Sequence, residues 1–374
     1  MTSPAHLTST PPFGDPAAIR AERAASELRA GRPVVIEGRD GQSRAVLALD
    51  SSTAQSYLSF TQAAAQRHYL FLTPTRAQVL GLVAPQGARI ALAEQSYDAL
   101  AALAYLRSGT LPTHWMPGDA LDAGAVEIAR LGLLLPAIVA VDLDAASTFQ
   151  GCQSLQLDDL KHGCATTTSG SYELVTRTQV PLRDLGSSEF VVFRGGVAQR
   201  DQVAIVIGQP DLSVPVPVRV HSSCLTGDLF GSLKCDCGDQ LRHSLAKLKE
   251  LGGGVLLYLD QEGRGTGIAT KLRAYGYQHD GLDTIDADAQ LGFGADERRY
   301  GSAVAMLRGL GIQRVRLLTN NPSKAERLRV AGIDVVERIP ITGTITAENE
   351  GYLRTKAARA GHALDVDALI HAAR

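Results

Sequence analysis

Three cysteines place the tightest constraint on what this chain can build. Cys224, Cys235 and Cys237 fall within RVHSSCLTGDLFGSLKCDCGDQ, Arg219 to Gln240, in a C-x10-C-x-C arrangement. Two thiols one residue apart project to the same side of an extended strand. A third arriving from a preceding strand end completes three soft ligands, a set that suits zinc. Three protein ligands leave a position for water, whereas a fourth closes the site and makes it structural. His221 is the candidate for that fourth place. Inert core thiols sit in apolar surroundings, but polar, glycine-containing sequence flanks these three. Three thiolates leave a divalent ion a weaker Lewis acid than three histidines do, so its water is less acidified than the pKa of about 7 reached there. A nearby base is therefore expected, and Asp228 and Asp236 are the carboxylates at hand.

Composition narrows the setting. At roughly 150 residues per domain, a chain of 374 residues reads as two domains. Its 45% hydrophobic and 20% charged residues are ordinary for a globular protein. A formal net charge of -2 argues against the basic field that grips nucleic acid. The longest uncharged apolar run, Leu131 to Val141, contains Gly132 and Pro136 and falls short of the roughly 20 residues of a bilayer span. The opening MTSPAHLTSTPPFGDP has neither the basic nor the apolar region of a secretion signal. Five cysteines are too few for a disulfide framework. These features predict a cytoplasmic protein with no membrane or nucleic-acid partner.

Residues 1–15 are rich in Ser, Thr and Pro and are expected to form a mobile tail. Helical spacing follows over Ala17–Ala30, Thr53–Gln66, Tyr97–Leu106 and Gly124–Leu134, alternating with strand-like runs at Val34–Ile36, Ala45–Leu49, Tyr69–Leu72 and Ala137–Val141. Between Gly151 and Tyr172 the sequence turns polar and aperiodic, which predicts a linker holding Cys152 and Cys164 between domains 16–165 and 172–374. Beyond it, strands are expected at Phe190–Phe193, Val203–Ile207, Val216–Val220, Val255–Leu259, Val315–Leu318 and Val335–Val336. A helix after Gly238 is expected to stop at Gly252-Gly253-Gly254. The second half reads as a layered α/β unit and the first as α+β.

Three further segments carry polar chemistry. DQEGRGTGI, Asp260 to Ile268, follows a strand with a glycine-rich turn whose N–H groups suit an anion. Arg264 there offers a forked donor, and Glu262 can accept from a guanine edge. The turn lacks both the Walker and the dinucleotide spacing. LLTNNPSK, Leu317 to Lys324, joins a strand end to a helix, where α/β sheets place ligands; Thr319 and Lys324 suit phosphate. GFGADERRYG, Gly292 to Gly301, packs Asp296, Glu297, Arg298 and Arg299 into what reads as a solvated first helical turn.

In this order, RVHSSCLTGD, SLKCDCG, LDQEGRGTGI, KLRAYGYQ, LGFGADERRYG and RLLTNNPSK resemble GTP cyclohydrolase II, from about Thr176 to Leu364. The resemblance implies catalytic zinc on Cys224, Cys235 and Cys237, water attack at C8 of the guanine imidazole ring, and loss of formate. It implies GTP contacts at Arg219, Val220, His221, Ser222, Ser223, Gln240, Glu262, Gly263, Arg264, Thr284, Thr319 and Lys324. It also implies a proton-accepting role for Asp296, action at the α-phosphorus for Arg298, passage beyond a formylated intermediate for Tyr275, magnesium on the triphosphate, and a homodimer. A guanidinium is nearly always protonated, so charge stabilisation is the easier role for Arg298. Ser223 stands where the family usually has glutamate, and Lys234 where arginine is common.

The first half resembles 3,4-dihydroxy-2-butanone 4-phosphate synthase through ELRAGRPVVIEGRDG and EIARLGLLLPAIVAVDL. The acidic run that binds magnesium there is reduced to Glu37-Gly38-Arg39-Asp40-Gly41-Gln42-Ser43, and the Gly-His-Thr-Glu is absent near Asp119–Ala123. Without oxygen ligands no divalent ion is held, so this half is expected to be catalytically silent. The alternatives to a GTP ring-opening hydrolase are a paralogue that stops at the formylated pyrimidine or takes another purine nucleotide, and a non-catalytic nucleotide sensor. A zinc deaminase is excluded by the lack of its H-x-E and P-C-x-x-C signatures.

Overall fold

The computed structural model describes residues 14–92, 96–110, 112–144, 148–169, 172–196, 200–294 and 296–373. Of the expected tail, residues 1–13 lie outside this set, and Asp15 already belongs to the fold. Its carboxylate accepts from Ala17 N at 2.9 Å and caps the helix Pro16–Arg29.

Short apolar strands bounded by turn residues assemble into two seven-stranded sheets, so the chain is a mixed α/β protein. The first sheet contains β1 (Val34–Glu37), β2 (Ser43–Ala48), β3 (Tyr69–Leu72), β4 (Ala88–Ala91), β5 (Met116–Pro117), β6 (Ile138–Asp142) and β7 (Gln153–Gln156). They run in the order β5-β4-β3-β6-β2-β1-β7, antiparallel except for β1 beside β7. Helices Pro16–Arg29, Ala120–Leu131 and Leu157–Ser169 cover one face, and Ala54–Ala63 and Tyr97–Ala104 the other.

The expected linker is a correction. Within Gly151–Tyr172, β7 pairs in parallel with β1, and the helix Leu157–Ser169 packs on Pro16–Arg29. Among the described side chains of the stretch, Leu155 and Leu160 are the fully buried apolar ones, too few to mark a period in a polar stretch. Cys152 and Cys164 pack against the two cores of the first sheet rather than in a connector.

The second sheet contains β8 (Tyr172–Leu182), β9 (Gly186–Gly195), β10 (Arg200–Gly208), β11 (Val216–Ser222), β12 (Gly253–Leu259), β13 (Arg314–Leu318) and β14 (Asp334–Ile339), in the order β14-β13-β11-β12-β10-β9-β8. β14, β13, β11 and β12 are parallel, and the remaining pairings are antiparallel. β8 is a mostly exposed edge strand, and its mixed side chains gave no alternation to read. The triple glycine does more than end a helix: Gly252 turns the chain with φ of +86°, while Gly253 and Gly254 already lie in β12.

β11 and β12 are buried along nearly their whole length, as parallel strands covered on both faces must be. Val216, Val218 and Val220 face a core with Met306 and Leu307 of the helix Gly301–Gly309 and Leu328 of Pro322–Val330. Leu256 and Leu318 face the helix Cys237–Glu250 on the opposite side. From β11 the chain first adds β12 on one side and later β13 on the other. The strand order therefore reverses beside β11, and open α/β sheets form a ligand crevice beyond the carboxyl ends at such a point. Among the described residues, no helix is long and apolar enough to cross a membrane.

Candidate active site

Each carboxyl end around that reversal delivers one of the polar segments. β11 runs into Ser223 and Cys224, β12 into the Glu262–Gly265 turn, and β13 into Thr319 and Asn320. Cys224 lies two residues beyond β11 and caps a π-helical turn, Leu225–Leu229, whose Gly227 N lies 3.3 Å from Cys224 Sγ. Cys-Asp-Cys is not the extended strand expected. Cys235 lies in a turn and Cys237 is the first residue of the helix Cys237–Glu250, and this tight reversal aims both thiols back at Cys224.

The three sulfurs lie within 4.8 Å of one another, and they are the one cluster of potential metal ligands among the described residues. Tetrahedral zinc with Zn–S of about 2.3 Å needs sulfurs about 3.8 Å apart, and Cys224 and Cys235 are separated by 3.7 Å. Gly227 forms the floor: an added Cβ would meet both of those sulfurs at 3.0 Å. The donor set and its spacing fit a metal ion of this kind. His221 does not join the triad. Its Nε2 lies 3.1 Å from both carboxylate oxygens of Asp228, and its ring stacks on Tyr258.

Both expected bases are occupied. Asp228 also accepts from Tyr258 Oη at 2.9 Å and from Cys224 N at 3.0 Å. Asp236 accepts from Gln240 Nε2 at 2.6 Å and from Lys356 Nζ at 2.8 Å. Glu262, expected to read a guanine edge, is likewise engaged, by Lys271 Nζ at 2.7 Å and Leu225 N at 2.6 Å. Lys271 donates to Cys224 Sγ at 3.0 Å as well. Hydrogen bonds from the two other cysteines and from Lys271 hold the Cys224 thiol well below its ordinary pKa.

A single pocket gathers the triad with Arg219, His221, Ser222, Ser223, Gln240, Glu262, Gly263, Arg264, Tyr275, Thr284, Arg298, Thr319 and Lys324. Two expected residues stand back from it. Val220 is a core side chain that contributes only its carbonyl, which accepts from Lys324 Nζ at 2.8 Å. Asp296 sits behind Arg298 and accepts a bidentate pair from it at 2.8 and 2.9 Å. The glycine-rich turn spends two amides on itself, Gly265 N on Gln261 O and Thr266 N on Gly263 O, while Gly263 lines the pocket. Arg264 holds φ of +61°, an unusual conformation for a non-glycine residue. Its guanidinium pairs with Asp288 at 3.1 Å, and Asp288, pushed up by burial, titrates at about 6.

Cations dominate the wall. Burial lowers Arg219 to about 10 and pushes Lys324 well below its ordinary value, with Arg219 and Arg298 adding repulsion there. Burial also takes His362 down to about 3, helped by Lys356, Arg298 and Lys324. Crowded, buried positive groups with few anions among them suit a polyanion. The Tyr275 ring lies between Lys234 and Lys271, at 5.4 and 5.6 Å, and burial together with Cys235 keeps its phenol protonated.

Lys271, Asp288, Tyr352, Lys356 and His362 complete the wall and were not expected. Lys271 with Tyr275, and Tyr352 with Lys356, are spaced four apart on helices, the interval that puts side chains on one face. That spacing was the available signal. The 296–299 charge cluster is not a solvated helical turn either. Glu297 pairs with Arg130 and Arg299 with Glu127, both on the helix Ala120–Leu131 of the first sheet's layer.

A sulfur triad on the carboxyl edge of a switch-point sheet, facing a cation-lined pocket, defines an α/β protein built to hold a polyanionic ligand beside a metal-type centre. A family model described as GTP cyclohydrolase II matches residues 173–340. The chain is 68% identical to a GTP cyclohydrolase-2 of Xylella fastidiosa strain Temecula1, over 99% of this chain and 93% of that one. It is 40% identical to a GTP cyclohydrolase-2 of Azospirillum brasilense, over 97% of this chain and 100% of that one. A crystal structure of a two-domain 3,4-dihydroxy-2-butanone 4-phosphate synthase from A. baumannii aligns with a TM-score of 0.31 and 20% identity, over 80% of this chain and 93% of that one. The chain belongs to the GTP cyclohydrolase II family, and it is an enzyme.

Proposed function

We propose that this enzyme opens the imidazole ring of GTP, releasing formate and pyrophosphate to give 2,5-diamino-6-(5-phosphoribosylamino)pyrimidin-4(3H)-one for riboflavin synthesis. The observation that carries the reading is the convergence of three thiols and a cation-lined wall at one sheet edge. Cys224, Cys235 and Cys237 hold zinc, which supplies Lewis-acid activation of water when bound. Lys271 keeps Cys224 a thiolate and so helps neutralise a triad with excess negative charge. Arg219, Arg264, Lys324 and Lys356 provide a positive field for the triphosphate, whose remaining charge magnesium would share. Burial opposes the Arg298 charge, but Tyr300 and Asp296 outweigh it, so Arg298 acts as a protonated clamp at the departing pyrophosphate rather than as a nucleophile. Asp296, held ionised by Arg298 against its burial, must leave that pair to accept a proton. His221, Ser222, Ser223, Gln240, Gly263, Thr284 and Thr319 position the nucleotide, and Tyr275, kept protonated, carries the reaction past the formylated stage.

The chain works in this reading as two units, residues 16–165 and 172–374, with a catalytically silent first unit. Asp119, Asp122 and Asp142 there are tied to Arg44 and Arg89. The reading includes a homodimer, for which exposed Leu229 and Phe230 offer an apolar surface. It also includes a cytoplasmic setting, where thiols stay reduced. The test incubates metal-analysed protein with GTP and reads formate, pyrophosphate and nucleotide mass together. Equimolar products with a deformylated pyrimidine support the proposal. A retained formyl mass favours a paralogue that stops early, and zinc-loaded protein without turnover overturns the enzymatic assignment to GTP. Arg298→Ala should keep its zinc and lose about 10²- to 10³-fold in kcat.

A further inference from the structure

The loop carrying Asp296 and Arg298 belongs to the second unit but is gripped by the first. Residues 296–299 lie between the helices Thr284–Gln290 and Gly301–Gly309 and have no regular structure of their own. Their charged side chains divide between two sides. Arg298 faces the pocket with Asp296 paired to it, and Glu297 and Arg299 face the helix Ala120–Leu131. There the charges form a chain: Arg130 donates to Glu297 at 3.1 Å and to Glu127 at 2.9 Å, and Arg299 donates to Glu127 at 2.5 Å. Signs alternate along the chain Glu297, Arg130, Glu127, Arg299, and its side chains are between 20 and 40% exposed.

Other bonds limit how the segment can move. Gln261 Nε2 donates to Arg299 O at 2.5 Å, and Arg327 donates to Arg298 O at 2.8 Å. Just upstream, Thr73 Oγ1 donates to Gly292 O at 2.8 Å, and buried Arg76 donates to Gln290 O at 3.2 Å. Thus the first unit fixes the segment's upstream end through backbone carbonyls and its centre through the chain of ion pairs.

We infer that Glu127 and Arg130 are positioning residues for the second unit's reaction: the silent first unit sets the place of Arg298 in the active site. This rests on the proposed role of Arg298. Half-exposed ion pairs add little stability singly. Their importance here is geometric, because a displacement of about 1 Å at a reacting group can cost about 10²-fold in rate.

The test uses the full chain with Glu127→Gln and Arg130→Gln, alone and together, and a charge exchange, Glu127→Arg with Arg299→Glu. The double variant should lose about tenfold or more in kcat, with GTP KM changed less than threefold and zinc content unchanged. The charge exchange should recover most of the loss relative to Glu127→Arg alone, which a general stability effect would not produce. Backbone hydrogen exchange of residues 292–300 should rise in the double variant while that of residues 224–240 stays constant. Unchanged kcat together with unchanged exchange at 292–300 overturns the inference. A parent protein that does not turn over GTP overturns the proposed function instead, and the exchange measurement then still decides whether Glu127 and Arg130 hold the loop.

Discussion

The two sheets place charged side chains at their edges in opposite ways. In the first, Arg44 is 1% exposed and lies against Asp119, Asp122 and Asp142, while Arg89 returns to Asp119 and Asp122. Every cation there has a carboxylate, and the cluster satisfies itself. In the second, Arg298, Arg264 and Lys356 each keep a carboxylate, but buried Arg219 and Lys324 enter the same pocket with no carboxylate partner among the described residues, and Lys271 is the cation on the three thiols. A polar cluster neutralised from within is a structural device. One left electrically incomplete holds free energy that a ligand can release. The depressed Lys324 and His362 record the cost of that incompleteness.

That contrast can be broken at three points. The largest effect should come from Cys235→Ser, which removes one of three sulfurs. Zinc and ring opening should vanish together, with metal analysis and formate release as the readouts, and zinc retained at the parent level would refute the ligand set. Next, Arg44→Met takes from Asp122, which is fully buried, one of its two cations and leaves it Arg89 alone. Breaking a buried pair costs about 3–5 kcal/mol, so denaturant unfolding should show a large loss. GTP turnover of the folded fraction should stay within twofold, and neither parent nor variant should convert ribulose 5-phosphate. The smallest effect concerns pH. Asp288 is charged above about 6 and neutral below, so Arg264 loses its charged partner as pH falls through that value. kcat/KM for GTP should drop a few-fold there, and Asp288→Asn should flatten that limb. Because the folded value lies above the ordinary one, the stability contributed by this group is lost as pH rises from about 4 to about 6.

Much of the candidate site was legible because its residues lie in turns at strand ends, where polar clusters and glycines stand out from the apolar strands before them. Cys224, Glu262 and Thr319 each follow such a strand. Lys356 and Tyr352 did not stand out, since single polar residues on an amphipathic helix look like ordinary surface until the helix Glu350–Ala358 is seen to cover the pocket. The fourth-ligand reading of His221 failed because sequence proximity says nothing of Asp228, which takes the imidazole first.

Local chemistry therefore determined the parts: which strands bury both faces, and which turns carry soft ligands or cations. The tertiary structure alone decided their partners. Strand order brought β11, β12 and β13 side by side, so that turns distant in the chain share one crevice. Docking of Ala120–Leu131 against Glu297 and Arg299 turned an apparent surface charge run into a joint between the layers of the two sheets. The physical reason is that hydrophobic pattern and turn propensity act over a few residues, whereas the partner of a buried charge is chosen by packing between elements far apart in sequence.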